Sequence, residues 1–509
     1  MKARLMKRCV ARLAAAVLLS MSAATMSACS TSEKPAAAAL TPEQQKLNVD
    51  SFDQVWTTIR DRHFDATLGG LDWNALRDEL RPKVASATTQ SEARGHISDL
   101  IDRLGQSHFG IIPAAAYEDV AGRPTDADPS ESKASADTSN GNEAGGSKPA
   151  GDKAAAPESG SRESGWSGLW VRAVEGDVLV THVVKGSPAE SAGIRAGHLV
   201  RSVNGRDLRA MLTRVGEAYA GKEAAQSTLS FAAQSALSGS AGERLSLGVV
   251  DERDAERTIE LVLAKPAGKA TTLGSLPTIF VEFESRRITR PDGSQIGYVW
   301  FSSFLDPENL MAQISSALRS FRDCQGVIID MRGNIGGLGA MAMGVGSFFV
   351  TQPATLGEMQ SRNGSIRFVV NPRSNPLQTP LAVLIDECSV STAEIFAGGM
   401  RDIGRAKLFG VRTAAAALPS TVERLPNGDG FQYAFANYIS ASGLVLEGNG
   451  VPPDVAAAPS RADLLAGRDS AIEAAAAWIA SPSTTTRRAL AAASWSGSGG
   501  QLPARAPVQ

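Results

Sequence analysis

The sequence has no surplus of charge of either sign and no long apolar run in its main part. Among its 509 residues, 51 are Lys or Arg and 53 are Asp or Glu, which gives a net charge of −2. Without a basic excess the chain is not drawn to nucleic acid, and we expect no nucleic-acid partner. No stretch after the N-terminal segment approaches the ~20 apolar residues that cross a bilayer.

Cysteine and histidine are also scarce, with 4 cysteines and 5 histidines. Cys9 and Cys29 lie in the N-terminal segment, so that Cys324 and Cys388 remain for the folded part. Two cysteines make no disulfide framework. Because neither zinc-ligand spacing nor an H-E-x-x-H sequence occurs, the sequence supports no metal site.

The first 29 residues have the pattern of an export signal. Basic residues between positions 2 and 12 precede an apolar run over 13–21 that is too short to span a membrane. Residues 26–29 read Met-Ser-Ala-Cys, which resembles a bacterial lipobox and implies that Cys29 carries a lipid anchor. Because Ser30 and not Asp follows, the resemblance implies an outer-membrane lipoprotein of the cell envelope that faces the periplasm. A plain secretory signal cut nearby is the alternative.

Apolar spacing divides the rest of the chain into regions of different structure. Phe52, Val55, Trp56 and Ile59 have the i, i+3, i+4, i+7 spacing of a helix, and two further helices follow. Short alternating strands come next, and strands then alternate with helices as in α/β domains. We predict a signal peptide with lipobox over 1–29, a helical N-terminal domain over 49–113, a flexible low-complexity insert over 123–165, a β-rich domain over 166–266, an α/β domain over 274–460 and a disordered tail over 481–509.

Two transitions from strand to loop carry residues that could do chemistry. After the apolar run 327–329, residues 330–337 read Asp-Met-Arg-Gly-Asn-Ile-Gly-Gly, and such glycines let backbone N–H groups approach a ligand. A tight turn or a phosphate cradle would use the same residues. After the apolar run ending at 385, Ser389 and Ser391 precede a predicted helix. A serine there has amides beside it that suit an oxyanion, although plain helix capping is the more ordinary role of such a serine when the loop is taken alone.

The two loops together resemble a known enzyme family. Residues 330–337 resemble the D-x-R-x-N-x-G-G sequence of tail-specific, C-terminal-processing serine peptidases, and residues 389–396, Ser-Val-Ser-Thr-Ala-Glu-Ile-Phe, resemble their S-A-S-A-S-E-I-F. The match continues in the family's order to Asp454. The resemblance implies a ClpP/crotonase-like α/β domain that hydrolyses peptide bonds through an acyl-enzyme without a cofactor. It implies Ser391 as the nucleophile, and an oxyanion hole of Gly336 or Gly337 with the Thr392 amide.

The predicted general base differs from that of the better-known members of the family, whose base is the lysine of T-F-G-K-G. Here residues 413–417 read Thr-Ala-Ala-Ala-Ala, and no lysine follows Lys407. The tricorn-like branch of the family instead uses a histidine from the helical N-terminal domain and an acidic residue before G-V-x-P-D. By that resemblance His108 is the base, and Ser107 and Glu447 are supporting groups. The unperturbed pKa of a histidine, ~6.5, predicts that activity falls in acid as the His108 imidazole becomes charged near that pH.

The other histidines lack such a pattern. His63 falls eleven residues after Phe52 on the same helical face, which predicts a packing role. His96, His182 and His198 have no partner that the sequence reveals.

The β-rich region resembles a PDZ domain. Residues 186–200 read Gly-Ser-Pro-Ala-Glu-Ser-Ala-Gly-Ile-Arg-Ala-Gly-His-Leu-Val, and Val-Asn-Gly follows at 203–205. PDZ domains bind a peptide as an added strand and hold its terminal carboxylate on backbone amides. Gly168, Leu169 and Trp170 resemble the carboxylate-binding loop. The resemblance therefore implies protein or peptide partners that are recognised through their C-termini.

The prediction is a multidomain α/β protein with a small helical N-terminal domain, a PDZ domain and a ClpP/crotonase-like catalytic domain. Its predicted function is that of a serine endopeptidase acting on envelope proteins. One alternative is a catalytically inactive peptide-binding envelope protein, because residues 413–417 have drifted from the family pattern. Another is an enzyme of acyl-CoA chemistry that shares the fold, although no nucleotide site is visible in the sequence.

Overall fold

The computed structural model describes residues 39–114, 116, 164–222 and 224–481. The predicted signal peptide with Cys29, residues 123–163 of the predicted insert and residues 482–509 of the predicted tail lie outside these ranges. Within the ranges, no helix has both the length and the apolar character needed to cross a membrane.

The N-terminal region is helical, as the apolar spacing predicts. Its first helix begins before residue 49 because Thr41 caps it: the side chain of Thr41 accepts the Gln44 N–H at 3.2 Å, and Pro42 occupies the first turn. The buried apolar faces of the helices share one core. The elements are α1 (Pro42–Arg62), a 3-10 turn (Leu68–Gly70), α2 (Trp73–Ala85), α3 (Gln90–Asp102) and β1 (Gly110–Ile112).

The PDZ-like region contains an antiparallel sheet in the order β3-β4-β5-β8-β9, with β6 paired to β5. Strand β3 is therefore an edge strand. The sequence predicted strands here, whereas the structure adds the helices α5 and α6, and α6 lies beside β3. The elements are β2 (Ser164–Trp166), β3 (Leu169–Val174), β4 (Asp177–Val183), α4 (Pro188–Ser191), β5 (Leu199–Val203), β6 (Arg206–Asp207), α5 (Leu208–Ala218), α6 (Ala225–Ala236), β7 (Ser238–Ser240), β8 (Arg244–Val250) and β9 (Glu256–Val262).

The third region is an α/β layer structure around the sheet β12-β13-β14-β17-β18-β22. Strand β12 pairs antiparallel to β13, and the other neighbours in this sheet are parallel. The strands are β10 (Lys269–Thr271), β11 (Ile279–Val281), β12 (Phe283–Thr289), β13 (Gln295–Phe301), β14 (Gly326–Asp330), β15 (Ala354–Ser361), β16 (Gly364–Val370), β17 (Leu381–Ile385), β18 (Ala406–Gly410), β19 (Ser420–Arg424), β20 (Gly430–Ala434), β21 (Asn437–Ser440) and β22 (Val455–Ala456). The helices are α7 (Pro307–Ser320), α8 (Gly339–Gly346), α9 (Thr392–Asp402), α10 (Arg461–Leu465) and α11 (Ser470–Ile479).

Both faces of this sheet are covered by helices. Val327 and Ile329 of β14 lie in a core with α7, α8 and α9, whereas Ile328 points into a second core with α11. Continuous apolar strands are typical of parallel sheets buried on both faces. Because α11 supplies one of these layers, the packed domain extends past residue 460, where the sequence pattern had placed its end.

The helical region and the α/β region are joined by a shared sheet. Strand β1 pairs antiparallel with β20, with Gly110 opposite Gln432 and Ile112 opposite Gly430. The core under the helices also contains Phe431 and Tyr433 of β20. The loop between α3 and β1, which carries His108, is therefore fixed to the α/β region as well as to the helices.

Candidate active site

The two loops singled out in the sequence meet because they follow neighbouring strands. Asp330 at the end of β14 pairs with Leu384 in β17, so both loops leave the same edge of the sheet. The Val390 N–H donates to the Asn334 carbonyl at 2.9 Å. The Ser389 hydroxyl donates to the Met331 carbonyl at 2.7 Å. The glycine loop and the serine loop thus form one rigid unit.

Ser391 lies at the sharp turn between this loop and helix α9. Its backbone has φ +57° and ψ −117°, a conformation that non-glycine residues rarely adopt. The Ser391 N–H donates to the Ala416 carbonyl at 2.9 Å and to Glu394 Oε2 at 3.0 Å. These bonds hold the strained turn, which leaves the Ser391 side chain at the N-terminal end of α9.

Glu394, for which the sequence predicted no role, organises the turn at Ser391. It is fully buried and accepts the Thr413 hydroxyl at 2.6 Å and the amides of Ala415 and Ala416, each at 3.0 Å. Burial raises the pKa of Glu394 to about 7, and the donors around its carboxylate act in the opposite direction. The spacing Ser391-x-x-Glu394 is that of a helix capping box, and this signal could have identified the residue.

Two backbone amides next to Ser391 have no acceptor within the part of the chain that the structure describes. They belong to Gly337 and to Thr392, the first residue of α9. The Thr392 hydroxyl donates to the Gly337 carbonyl at 2.8 Å and ties the two residues together. The Gly336 N–H, in contrast, donates to Asn334 Oδ1 at 2.9 Å. Of the two glycines that the sequence left open, Gly337 has the available N–H.

Gly336 has a steric role beside Ser391. It has φ +85°, and a Cβ placed on it would lie 2.8 Å from the Ser391 Cβ and 3.0 Å from the Thr392 nitrogen. Only glycine fits so close to the serine and to the first turn of α9.

His108 lies between α3 and β1, with φ +59°. Its Nδ1 is 2.7 Å from Ser107 Oγ, and the Ser107 hydroxyl donates to Glu447 Oε2 at 2.8 Å. Because a serine hydroxyl has one hydrogen, Ser107 must accept from an Nδ1–H of His108. The neutral imidazole therefore carries its proton on Nδ1, and its Nε2 is left with a free lone pair.

Glu447 holds the other end of this network. It also accepts the Ser107 N–H at 2.8 Å and the Ala417 N–H at 3.1 Å. Burial raises the pKa of Glu447, and the bonds from Ser107 and Ala417 act against this. Burial lowers the pKa of His108 to about 4, because a charged imidazole would lose its hydration. This corrects the value near 6.5 expected from the sequence.

The segment 414–417, which replaces the lysine loop of better-known members, connects the two halves of the site. Its Ala416 carbonyl binds the Ser391 amide, and its Ala417 amide binds Glu447. Among the described residues no hydrogen bond joins Ser391 Oγ to His108, and such bonds often form only when substrate is bound. Lys407 lies over the Trp478 ring of α11, on the opposite side of the sheet from α9.

The predicted carboxylate loop lies at the start of the edge strand β3. Gly168 precedes the strand, and the Leu169 side chain is buried in the PDZ core. The Trp170 ring packs edge-on against Trp166 at 6.2 Å and Trp300 at 5.6 Å between ring centroids. Trp170 therefore contacts the α/β region.

The outer edge of β3 is occupied by side chains of α6. Gln234 donates to the Leu169 carbonyl at 2.8 Å and accepts the Val171 N–H at 3.0 Å. Ser230 Oγ accepts the Ala173 N–H at 3.0 Å. These are backbone groups that an added peptide strand would use.

Helix α6 and strand β3 also reach the loop that carries Ser391. The Ser230 hydroxyl donates to Glu387 Oε1 at 2.7 Å, and Arg172 Nε donates to Asp386 Oδ2 at 2.7 Å. Asp386 in turn accepts the amides of Gly333 and Cys388, each at 3.0 Å. The PDZ-like region thus contacts both loops of the site.

Three family models match the chain in the order of the predicted domains. The Tricorn protease C1 domain matches residues 49–101, the PDZ domain matches residues 179–250, and Peptidase family S41 matches residues 295–457. His108 lies just after the first match, and Ser391 and Glu447 lie within the third.

Two curated proteins are similar over part of their length. The carboxy-terminal processing protease CtpA of Bacillus subtilis (strain 168) is 25% identical over 292 residues, which cover 57% of this chain and 55% of that protein. The chloroplastic C-terminal processing peptidase of Tetradesmus obliquus is 27% identical over 285 residues, covering 55% of this chain and 56% of that protein. The chain thus spans about half the length of the curated relatives it matches.

A solved structure shows the same fold. The photosystem II D1 C-terminal processing protease superposes with a TM-score of 0.51 at 22% identity and covers 83% of this chain and 94% of that one. At this sequence identity the match shows the fold alone. The ordered domain matches confirm the predicted domain types, and the structural match confirms the predicted fold class. The chain carries a Peptidase family S41 domain over residues 295–457, preceded by tricorn C1 and PDZ domains, and is similar to C-terminal processing peptidases.

Proposed function

We propose that this chain is a serine endopeptidase in which Ser391 is the nucleophile and His108 the general base. The observation that carries the proposal is the Glu447–Ser107–His108 network, which leaves His108 Nε2 with a lone pair. A serine at its free pKa is a poor nucleophile and needs such a base. The lysine that serves better-known members is replaced by alanine in the segment 413–417, and no lysine follows Lys407 in the sequence.

In the proposed reaction, Ser391 Oγ attacks the carbonyl carbon of the scissile peptide bond while its proton passes to His108 Nε2. The developing oxyanion is bound by the amides of Gly337 and Thr392. The C–N bond then breaks as His108 returns the proton to the leaving amine, which leaves an ester on Ser391. Water hydrolyses the ester by the same steps in reverse order.

The Ser107–Glu447 pair supports the charged state of the base. When His108 holds two protons, its Nδ1–H remains bonded to Ser107, whose hydroxyl is bonded to the Glu447 carboxylate. The negative charge of Glu447 thus stabilises the imidazolium through one intervening hydroxyl. This is the role that the aspartate has in a serine-histidine-aspartate triad.

Substrates are proposed to be envelope proteins that the PDZ domain selects by their C-termini. For a peptide to add to β3, the Gln234 and Ser230 side chains must leave the strand edge.

The lipid anchor at Cys29 and an outer-membrane position facing the periplasm are proposals as well. They predict that Cys29→Ala releases the protein from membranes. If Cys29→Ala still fractionates with membranes and the wild type incorporates no labelled palmitate, the anchor is refuted.

The test of the peptidase is to label the full chain with a fluorophosphonate and to map the labelled residue. We expect label on Ser391, none in Ser391→Ala, and almost none in His108→Ala. Their double variant should be scarcely less active than either single one, because residues that act as a unit are not additive. Lys407→Ala is the matched control and should keep the wild-type rate.

The same experiment decides the alternative of an inactive peptide-binding protein. That protein would keep the fold but show neither label on Ser391 nor hydrolysis of carboxymethylated casein. The fold is checked by circular dichroism in each variant.

A further inference from the structure

A second histidine contacts the loop of the proposed base on both sides. His63 Nε2 is 2.8 Å from Gln106 Oε1, immediately before Ser107. The His63 ring stacks on Phe109, immediately after His108, with ring centroids 5.6 Å apart and planes inclined by 22°. One side chain therefore flanks the pair that forms the base.

Both ring nitrogens of His63 have hydrogen-bond partners. Its Nδ1 lies 3.0 Å from the backbone of Asp65, and its Nε2 lies 2.8 Å from Gln106 Oε1. The polar atoms of the ring are therefore both satisfied. As the sequence predicted, His63 is fully buried and packs, here against Phe64 and Phe109.

His63 is itself held from two regions of the molecule. It ends α1, and its N–H donates to the Ile59 carbonyl at 3.0 Å. Its carbonyl accepts Arg362 Nε from the turn between β15 and β16. The residue is therefore a fixed point between the helical region and the α/β region.

The loop needs such a fixed point because His108 has a positive φ of +59°. This conformation is unfavourable for a non-glycine residue, and it persists only where the surrounding structure enforces it. One other anchor, the Ser107 N–H bonded to Glu447, belongs to the reacting network. Another is the pairing of β1 with β20, which begins at Gly110.

We propose that His63 is a positioning residue for the base: by holding Gln106 and Phe109 it fixes the backbone of Ser107 and His108. The polar part of its contacts supports this role. A residue that only filled space could be leucine, whereas the ring nitrogens of His63 are bonded to the Asp65 backbone and to the Gln106 side chain. The proposal rests on the proposed function of His108.

The first variant is His63→Leu in the full chain, which keeps apolar volume and removes both ring nitrogens. We expect kcat on carboxymethylated casein to fall about 10- to 100-fold with little change in KM, since small displacements of a reacting group have effects of this size. The rate of fluorophosphonate labelling should fall in parallel. His63→Gln keeps a donor toward Gln106 and should recover part of the loss.

A purely structural role would not change the pH profile, and this gives a second readout. The Glu447 carboxylate is the charged group bonded to the His108 network, and burial lowers the pKa of His108 to about 4. In His63→Leu the His108 ring is held less firmly and is more hydrated, so the pKa of His108 rises toward ~6.5. The acid limb of kcat/KM should therefore move to higher pH by up to about two units.

His96→Leu is the matched control, because His96 is a buried histidine of the same helical region that contacts Asp99 on its own helix. It should keep the wild-type kcat and acid limb. If His63→Leu fails to fold, Gln106→Ala replaces it as the test variant. This change removes the other partner of the same hydrogen bond, and Gln106 lies in a half-buried loop.

Wild-type kcat, labelling rate and acid limb in His63→Leu or in Gln106→Ala would overturn the proposal. An equal loss of kcat in His96→Leu would overturn it as well, because the effect would then be general destabilisation. Absence of label on wild-type Ser391 is a different result, which refutes the proposed function itself.

Discussion

At the scale of single residues, desolvation of His108 sets the pH range in which it could act as the proposed base for Ser391. Because its pKa is lowered to about 4, the imidazole stays neutral and able to accept a proton well below pH 6. We expect kcat/KM to be flat from pH 7 to pH 5 and to fall as the pH drops through about 4. A profile on casein, with circular dichroism at each pH, measures this. An acid limb near pH 6.5 would show a solvated His108 and contradict the structure.

Glu394 gives a second prediction at this scale. Glu394→Gln retains one acceptor oxygen and places an NH₂ group against amides that need an acceptor. An unpaired buried N–H costs about 1–3 kcal/mol, and the strained turn at Ser391 loses one of the hydrogen bonds that stabilise it. We expect a lower melting temperature together with slower fluorophosphonate labelling.

The control for this variant is Glu473→Gln, an exposed position on α11. It makes the same chemical change outside the site and should leave both measurements unchanged. Wild-type labelling in Glu394→Gln would mean that the capping bond does not hold the nucleophile turn.

At the candidate site, the sequence predicts side chains more fully than backbone groups. Motif resemblance predicts Ser391, His108 and Glu447, and the structure connects these three residues through the segment 414–417. The choice between Gly336 and Gly337 could not be predicted, because it depends on which of their N–H groups the Asn334 side chain binds. Asn334 lies within the motif, but the direction of its side chain is set only by the folded loop.

At the scale of elements, helix α6 decides whether the PDZ groove is open. Its Gln234 and Ser230 satisfy the backbone groups at the edge of β3, and Ser230 also binds Glu387 near the nucleophile. Phe231 of the same helix is buried in the core of the α/β region. A peptide that displaces α6 from β3 would therefore disturb a contact of the nucleophile loop.

We predict that Gln234→Ala binds C-terminal peptides more tightly than the wild type. The change frees the Leu169 carbonyl and the Val171 N–H, and each net hydrogen bond is worth about 0.5–1.5 kcal/mol. Affinity for the best ligands in a library of fluorescent free-acid decapeptides should rise about 5- to 100-fold. Fluorescence anisotropy with the full chain measures this.

The affinity for amidated forms of the same peptides should rise much less in Gln234→Ala, because these peptides lack the carboxylate that the loop at Gly168 would bind. Gln360→Ala, at an exposed site on β15, is the matched control. Equal affinities for Gln234→Ala and the wild type would mean that α6 does not cover the binding edge.

The sequence predicted the strands of this region but not α5 or α6. Helix α6 consists mainly of Ala, Ser, Gln and Thr, and its buried residues include Ser230 and Ala233 on surfaces that face different partners. A helix packed between two regions has no single apolar stripe, so the spacing that revealed α1 is missing. Helices with one solvent-exposed face were predicted because their apolar residues repeat at helical intervals.

At the scale of the whole molecule, the helical region is not an independent support for the base. Its core includes Phe431 and Tyr433, and β1 completes a sheet with β20 and β19. The sequence could not predict this merger, because the contacting residues are far apart in the chain. The catalytic site proposed here is accordingly assembled only when both regions fold together.

An ion pair between these regions tests that dependence. Asp429 is fully buried and is bonded by two nitrogens of Arg94 at 3.0 and 2.7 Å and by the Ala114 N–H at 2.8 Å. Removing one partner of a buried pair leaves an uncompensated charge and costs about 3–5 kcal/mol. We expect Arg94→Met to lower the melting temperature by several degrees. Lys46→Ala breaks an exposed pair with Asp50 on α1 and should have little effect.

The same variant shows whether the base depends on both regions. If the helical region and the α/β region fold as one unit, Arg94→Met should lose labelling of Ser391 in the same thermal transition in which its helices melt, because His108 leaves the site when β1 separates from β20. Labelling after heating steps, followed beside circular dichroism, measures the two events together. Persistence of Ser391 labelling after the helices have melted would contradict both the merged core and the assignment of His108 as the base.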